Sequence, residues 1–266
     1  MTYLNNKVAV VFAASGAIAG AVAQSFARNG AKVYVSARNI ESVKKLADTI
    51  KQDGGWAEAA QVDAMNEGEI ENFIQKIVAD NGKLDIVFNG IGARPSESDY
   101  GTYTTQISLE QFMKPINLHV GSQFLTSRVA AKYMIQSQSQ GTILTLTASL
   151  SRLKLPFMAG VTASCTAIEG LTRVMAAEFG QAGIKVICIN PTAMPETQTI
   201  QETSVANAKA MGISIEEFGK MQSPSLLGKP LSLKSMADTA AFLVSDAGAV
   251  FNSHIMDVDF GNMSVI

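Results

Sequence analysis

Short apolar runs of strand length recur along this chain, and between them lie segments whose apolar residues fall three and four apart. The runs are Lys7–Phe12, Lys32–Ser36, Ala57–Val62, Leu84–Phe88, Gly141–Thr147, Ile184–Ile189 and Ile255–Val258. The helical-period segments are Ala21–Asn29, Ile40–Gln52, Glu67–Asn81, Leu109–Ser137, Ala163–Gln181 and Lys234–Val244. Strand and helix in alternation give βαβ units, and most of the runs are the Val- and Ile-rich kind that a parallel sheet buries on both faces. The expectation is a doubly wound, Rossmann-type α/β domain: a parallel sheet of about seven strands, helices on both faces, and a ligand crevice at the strands' carboxyl ends. Gly30 and Gly183, just past two of the helices, fit left-handed capping positions.

The pattern predicts one domain over residues 1–266, since Gly54–Gly55 and Ser137–Gln140 are too short to act as linkers. Only residues 192–229 break the rhythm, with helical patterns around Val205–Met211 and Ile215–Met221 and no strand. An insertion after a strand's carboxyl end is the expected place for a lid or substrate loop. A net charge of −2, with Lys and Arg scattered, supplies no basic face, so nucleic acid is not an expected partner. The first apolar run, Val8 to Ala14, is too short for a membrane span and lacks signal-peptide flanks. Cys165 and Cys188 have neither CxxC nor Cys/His spacing, so no metal site is expected, and a cytoplasmic protein with two reduced thiols is.

The stretch Val8 to Ala19, followed by Gly30, resembles the first strand and TGxxxGxG phosphate turn of the short-chain dehydrogenase/reductase family. Counting back from Gly30 puts Ala13, Ala17 and Ala19 at the three glycine positions; taking Gly16 and Gly20 instead would shorten the helix by about one turn. The resemblance continues in order along nearly the whole chain. Asp63-Ala64 matches the pair that lies against adenine, Asn89-Gly90-Ile91-Gly92 stands where the family has NNAG, and Asn117 matches its helix asparagine. Pro191-Thr192 stands at the family's PG turn, and Asp257 to Gly261 resembles its closing segment. The resemblance implies an oxidoreductase whose dinucleotide contacts are Ala13, Ser15, Gly16, Ala17, Ile18, Arg38, Asp63, Ala64, Asn89, Gly90, Ile91, Pro191 and Thr192. Ala37 stands where NAD-preferring members carry an acid and Arg38 follows it, so NADP(H) is expected over NAD(H). Glu196 is expected near the cofactor's phosphates, an unfavourable place for a negative charge. A homo-oligomer, dimer or tetramer, is implied as well.

The centre of the chemistry departs from the family. There a Ser and a YxxxK pair polarise a carbonyl and move its proton. Here the corresponding positions are Ala148, Val161 and Cys165, leaving Asn117 as the only retained member. Ordinary carbonyl reduction is therefore not expected, and the alternative is a non-catalytic relative that binds a ligand or assembles with other chains. Cys165 has no paired His in the sequence and reads as a buried thiol. His119, two residues from Asn117, is expected on a different side of its helix, in packing or subunit contact. Thr147, Ser149 and Ser151 are hydroxyls near the vacant Ser position, and Arg94, Arg152 and Lys154 are either anion contacts or solvated loop charges.

Overall fold

The computed structural model describes residues 2–222 and 225–262, so residues 223 and 224 of the expected 192–229 insertion lie outside the described residues. Among the described residues seven parallel strands form one sheet: β1 (Val8–Phe12), β2 (Lys32–Ala37), β3 (Trp56–Gln61), β4 (Ile86–Asn89), β5 (Thr142–Leu146), β6 (Lys185–Pro191) and β7 (Ile255–Val258). Their order is β3-β2-β1-β4-β5-β6-β7. The winding reverses between β1 and β4, where the carboxyl ends open a crevice.

Period-two alternation decides which side chain faces which layer. Ala9 and Val11 of β1, Val33 and Val35 of β2, and Ile86 and Phe88 of β4 enter one core cluster. That layer is closed by α1 (Ala17–Arg28), α2 (Ile40–Gln52) and α8 (Leu233–Val244). Val10, Phe12, Tyr34 and Val87 enter the other, against α3 (Glu67–Asn81), α4 (Leu109–Gln136) and α5 (Ala159–Phe179). The stretch after β6 folds as α6 (Gln198–Met211) and α7 (Ile215–Gln222). Gly30 and Gly183 have φ of +96° and +77°, the left-handed capping conformation.

The helix N-termini differ in how their free amides are satisfied. Asn39, Asn66, Ser108, Thr197 and Ser232 cap α2, α3, α4, α6 and α8 with their own side chains. No side chain caps α1 at Gly16, and its first turn carries no acidic residue. At α5 the cap residue Met158 contributes none either, but Asp99 Oδ2, from the loop after β4, accepts from Gly160 N–H at 2.9 Å. Gly160 also lets α4 and α5 pack closely: a Cβ there would lie 2.5 Å from the Phe112 carbonyl oxygen of α4.

Candidate functional site

At the carboxyl ends of the strands lies a crevice of about 920 Å³. Its near half is walled by the β1–α1 turn, the end of β2 and the segment after β3. Ala13, Ser15, Gly16, Ala17, Ile18, Arg38, Asp63 and Ala64 all line it. Ala13 has φ of +55°, a conformation suited to glycine, which turns the chain from β1 into the uncapped end of α1. The open amides and the helix dipole make this end a seat for an anion.

The three alanines are not equivalent. Ala13 and Ala17 line the crevice, whereas Ala19 is 1% exposed and belongs to the core. Its methyl packs against Gly90, where an added Cβ would stand 2.6 Å from that of Ala19. The methyl at the third turn position is thus taken up by the missing side chain at Gly90 and does not obstruct the crevice.

Among the other expected contacts, Gly90, Ile91, Pro191 and Thr192 line the crevice and Asn89 does not. Asn89 is buried and braces the turn, accepting from Ile91 N–H at 2.8 Å and donating to Thr126 Oγ1 at 3.0 Å. Glu196 is exposed and turned away from the crevice, where its carboxylate accepts from Leu233 N–H at the start of α8. Thr197, with Gln198, Thr199, Ile200 and Thr203 of α6, faces the crevice instead.

Asn117 is exposed on α4 and absent from the crevice wall, which α4 lines with Leu118 and His119. Two residues along a helix rotate a side chain by about 200°, so α4 presents His119 to the crevice and Asn117 away from it. His119 is held at both ring nitrogens. Ala93 N–H donates to Nε2 at 2.7 Å, and Nδ1 lies 2.9 Å from Ser164 Oγ, whose own proton goes to the Val161 carbonyl at 2.7 Å. The ring is therefore the neutral Nδ1–H tautomer, and burial lowers its pKa to about 4.

The far half of the crevice brings Ala148, Val161 and Cys165 together, as their spacing requires, but in apolar surroundings. Leu150, Met158, Val161 and Cys165 form a small buried cluster with Tyr100, Ala148, Leu153 and Leu155 packed on it. Cys165 is 3% exposed and burial pushes its thiol pKa up, the reverse of nucleophile activation. Ser149 Oγ donates to the Pro191 carbonyl at 3.1 Å and Ser151 Oγ to Glu169. Thr147 Oγ1 is buried and, among the described residues, has no oxygen or nitrogen partner, only the Cys165 thiol beside it. Of the loop cations Arg94 lines the crevice, Arg152 pairs with Asp257 and Lys154 is exposed.

Tyr100 escaped the sequence reading because it arrives from the loop after β4 and not from α5. Desolvation, then the nearby Cys165 and Asp99, raises its pKa well above the usual phenol value, so it stays protonated.

Residues 12–262 match the family described as enoyl-(acyl carrier protein) reductase. The chain is 29% identical over 265 residues to the uncharacterized oxidoreductase YxbG of Bacillus subtilis (strain 168), covering 99% of this chain and 93% of that protein. It is 29% identical over 267 residues to tropinone reductase-like 1 of Erythroxylum coca, covering 99% and 92%. Among solved structures, a 7α-hydroxysteroid dehydrogenase complexed with NADH and 7-oxo glycochenodeoxycholic acid superposes with a TM-score of 0.84 at 28% identity, covering 99% of this chain and 96% of that one.

Proposed function

Because this chain belongs to the short-chain dehydrogenase/reductase family, we propose that its crevice holds a nicotinamide dinucleotide, NADP(H) in preference to NAD(H), beside an apolar substrate chamber without the usual proton donor. The observation that carries this reading is the uncapped, acid-free N-terminus of α1 opening on the same crevice as Arg38. A diphosphate fits the first and a 2′-phosphate the second, while the buried Ala37 offers no carboxylate to repel it.

The residues proposed to hold the group are Ser15, Gly16, Ala17 and Ile18 through the α1 turn, Arg38 at the ribose phosphate, Asp63 and Ala64 at the base, and Gly90, Ile91, Pro191 and Thr192 along the remaining wall. When bound, such a cofactor supplies or accepts a hydride. The protein's own side of a carbonyl reduction is deficient. Val161 has no proton to give, Ala148 no hydroxyl to donate, and His119 has both nitrogens engaged. General acid catalysis contributes ~10²–10⁴-fold, so ordinary ketones and aldehydes are expected to turn over slowly at best.

A non-catalytic, ligand-binding role is the second reading, and the apolar cluster at the former acid–base centre favours it. The helices α6 and α7 act in this account as a lid, since α6 lines the crevice from the insertion. Self-association through α4 and α5 follows from exposed Leu109, Phe124 and Ile135 on one and Val174 on the other. Light scattering giving a dimer or tetramer supports that assembly, and a strict monomer rejects it.

Titration of NADPH and NADH into the protein and its Arg38→Ala variant tests the cofactor assignment. Tighter NADPH binding that disappears in the variant supports it. Equal affinities in the unmodified protein, or no binding of either, would count against it.

A further inference from the structure

We propose that Tyr100 and Thr147 are the polar recognition pair of the far chamber, where they take an uncharged, largely apolar ligand by a single hydrogen-bond-accepting oxygen. The inference deepens the reading above by naming what the chamber beside the dinucleotide selects, and it rests on that reading only for the location of the site.

Three features converge on this pair. Thr147 is 7% exposed and lines the crevice, and among the described residues its hydroxyl has no oxygen or nitrogen partner, only the Cys165 thiol beside it. A thiol is a weak partner for a buried hydroxyl, and a ligand acceptor in the chamber would satisfy it better. Tyr100 lines the same crevice and packs on the cluster of Leu150, Met158, Val161 and Cys165, to which Ala148 also belongs. Desolvation keeps its phenol protonated, so it can act as a donor throughout the neutral range.

The loop that delivers Tyr100 is fixed. Asp99 is 1% exposed and ties the loop to the start of α5 through Gly160 N–H at 2.9 Å. On the other side Thr102 N–H donates to the Asp99 carbonyl at 3.2 Å, and Gly101 takes φ of +76° against the Ala206 carbonyl of α6. Tyr100 is thus set from a different direction than a tyrosine on α5 would be.

The remaining wall decides the ligand's character. The lining drawn from β5, the turn after it and α5 includes Leu146, Leu150, Leu153, Met158, Val161 and Ile168 and carries no charge. The cations of the crevice, Arg38 and Arg94, come from other segments, so a charged group against this wall would be desolvated without an ion-pair partner on it, whereas an apolar body with one oxygen would be buried favourably.

The probes are 1-tetralone and its parent hydrocarbon tetralin, measured by ligand-observed NMR titration against the full protein with and without saturating NADPH. The ketone is expected to bind about 2- to 12-fold more tightly than the hydrocarbon, the range of one net neutral hydrogen bond. Tyr100→Phe should lower that ratio, and Tyr100→Phe combined with Thr147→Val should abolish it, while NADPH affinity is unchanged. Thr147→Val should lower ketone affinity yet raise the melting temperature of the free protein, which separates ligand recognition from a structural role. Equal ketone and hydrocarbon affinities, failure of both to bind, a ratio undiminished in Tyr100→Phe, or one that survives in the double variant would overturn the proposal. NADPH binding retained alongside any of those results leaves the dinucleotide assignment standing, so the two readings fail separately.

Discussion

If the methyl of Ala19 belongs to the core, then Ala19 and Gly90 form one packing unit and substitutions at the two must be coupled. The two methyl carbons in Gly90→Ala would stand 2.6 Å apart, about 1 Å inside the usual contact of apolar carbons. Gly90 is not at positive φ, so alanine meets no backbone penalty and the steric term stands alone. Overpacking of this kind costs about 1–3 kcal/mol. Ala19→Gly removes a buried methyl, worth about 0.8 kcal/mol, and places a glycine in a helix at about 1 kcal/mol, so it costs roughly 2 kcal/mol. In the double variant the methyl is moved from one side of the contact to the other. Its cost should be that of the helical glycine, about 1 kcal/mol, with a coupling energy of about 2–4 kcal/mol in favour of the double variant. Urea unfolding of the four proteins measures this cycle, and dinucleotide titration completes it. Ala19→Gly should leave affinity unchanged, while Ala17→Gly, which opens the crevice wall, should raise it. Additive stabilities, or an affinity gain from Ala19→Gly, would refute the placement of that methyl.

Three further outcomes follow from the site. Arg38→Ala should weaken NADPH binding by about 10-fold and leave NADH nearly unaffected, the lower end expected for an exposed charge-assisted contact; fluorescence titration at fixed ionic strength checks it. His119 titrates at about 4 when folded against 6.5 when unfolded, so the unfolded chain binds the extra proton between those values. Its stabilising contribution is complete above pH 6.5 and disappears as pH falls towards 4, a loss of up to about 3 kcal/mol that denaturant melts should show and that His119→Gln should flatten. Finally, Ala148→Ser, Val161→Tyr and Cys165→Lys together should raise NADPH-dependent ketone reduction at least ~10²-fold over the unmodified protein if the α1 turn admits the cofactor; no gain in a folded, NADPH-binding variant would show that these positions do not form the centre.

The sheet was legible because burial on both faces leaves period and residue type as the dominant signal. Strand β7 and helices α2 and α3 begin and end where their patterns do. Helix α1 starts four residues earlier than its apolar pattern, at Ala17 and not Ala21, because its first turn faces the crevice and carries little hydrophobic signature. The phosphate turn was legible through Gly30, whose spacing fixed the positions of Ala13, Ala17 and Ala19, but the fate of each methyl depended on Gly90, far away in sequence. Asn117 was chosen for its residue type, whereas the rotation of α4 presents His119 to the crevice. Glu196 drew attention by its charge, yet the amide of Leu233 pulls it to the start of α8. Tyr100 and Asp99 lie in a loop without periodicity, and only the tertiary contact with Gly160 brings them to the site.

The crevice is expected to take up NADP(H) yet to reduce ordinary carbonyls slowly, because the Ser-Tyr-Lys positions are Ala148, Val161 and Cys165 and burial holds Tyr100 well above the usual phenol range, where it gives up its proton poorly. A single fluorescence trace addresses it: NADPH is mixed with the purified protein, and a simple ketone is then added in excess. Nicotinamide fluorescence is expected to rise on mixing, as the ring enters the apolar chamber, and to stay nearly steady after the ketone. No rise on mixing, or a sustained decay to the oxidised form once the ketone is present, would contradict it.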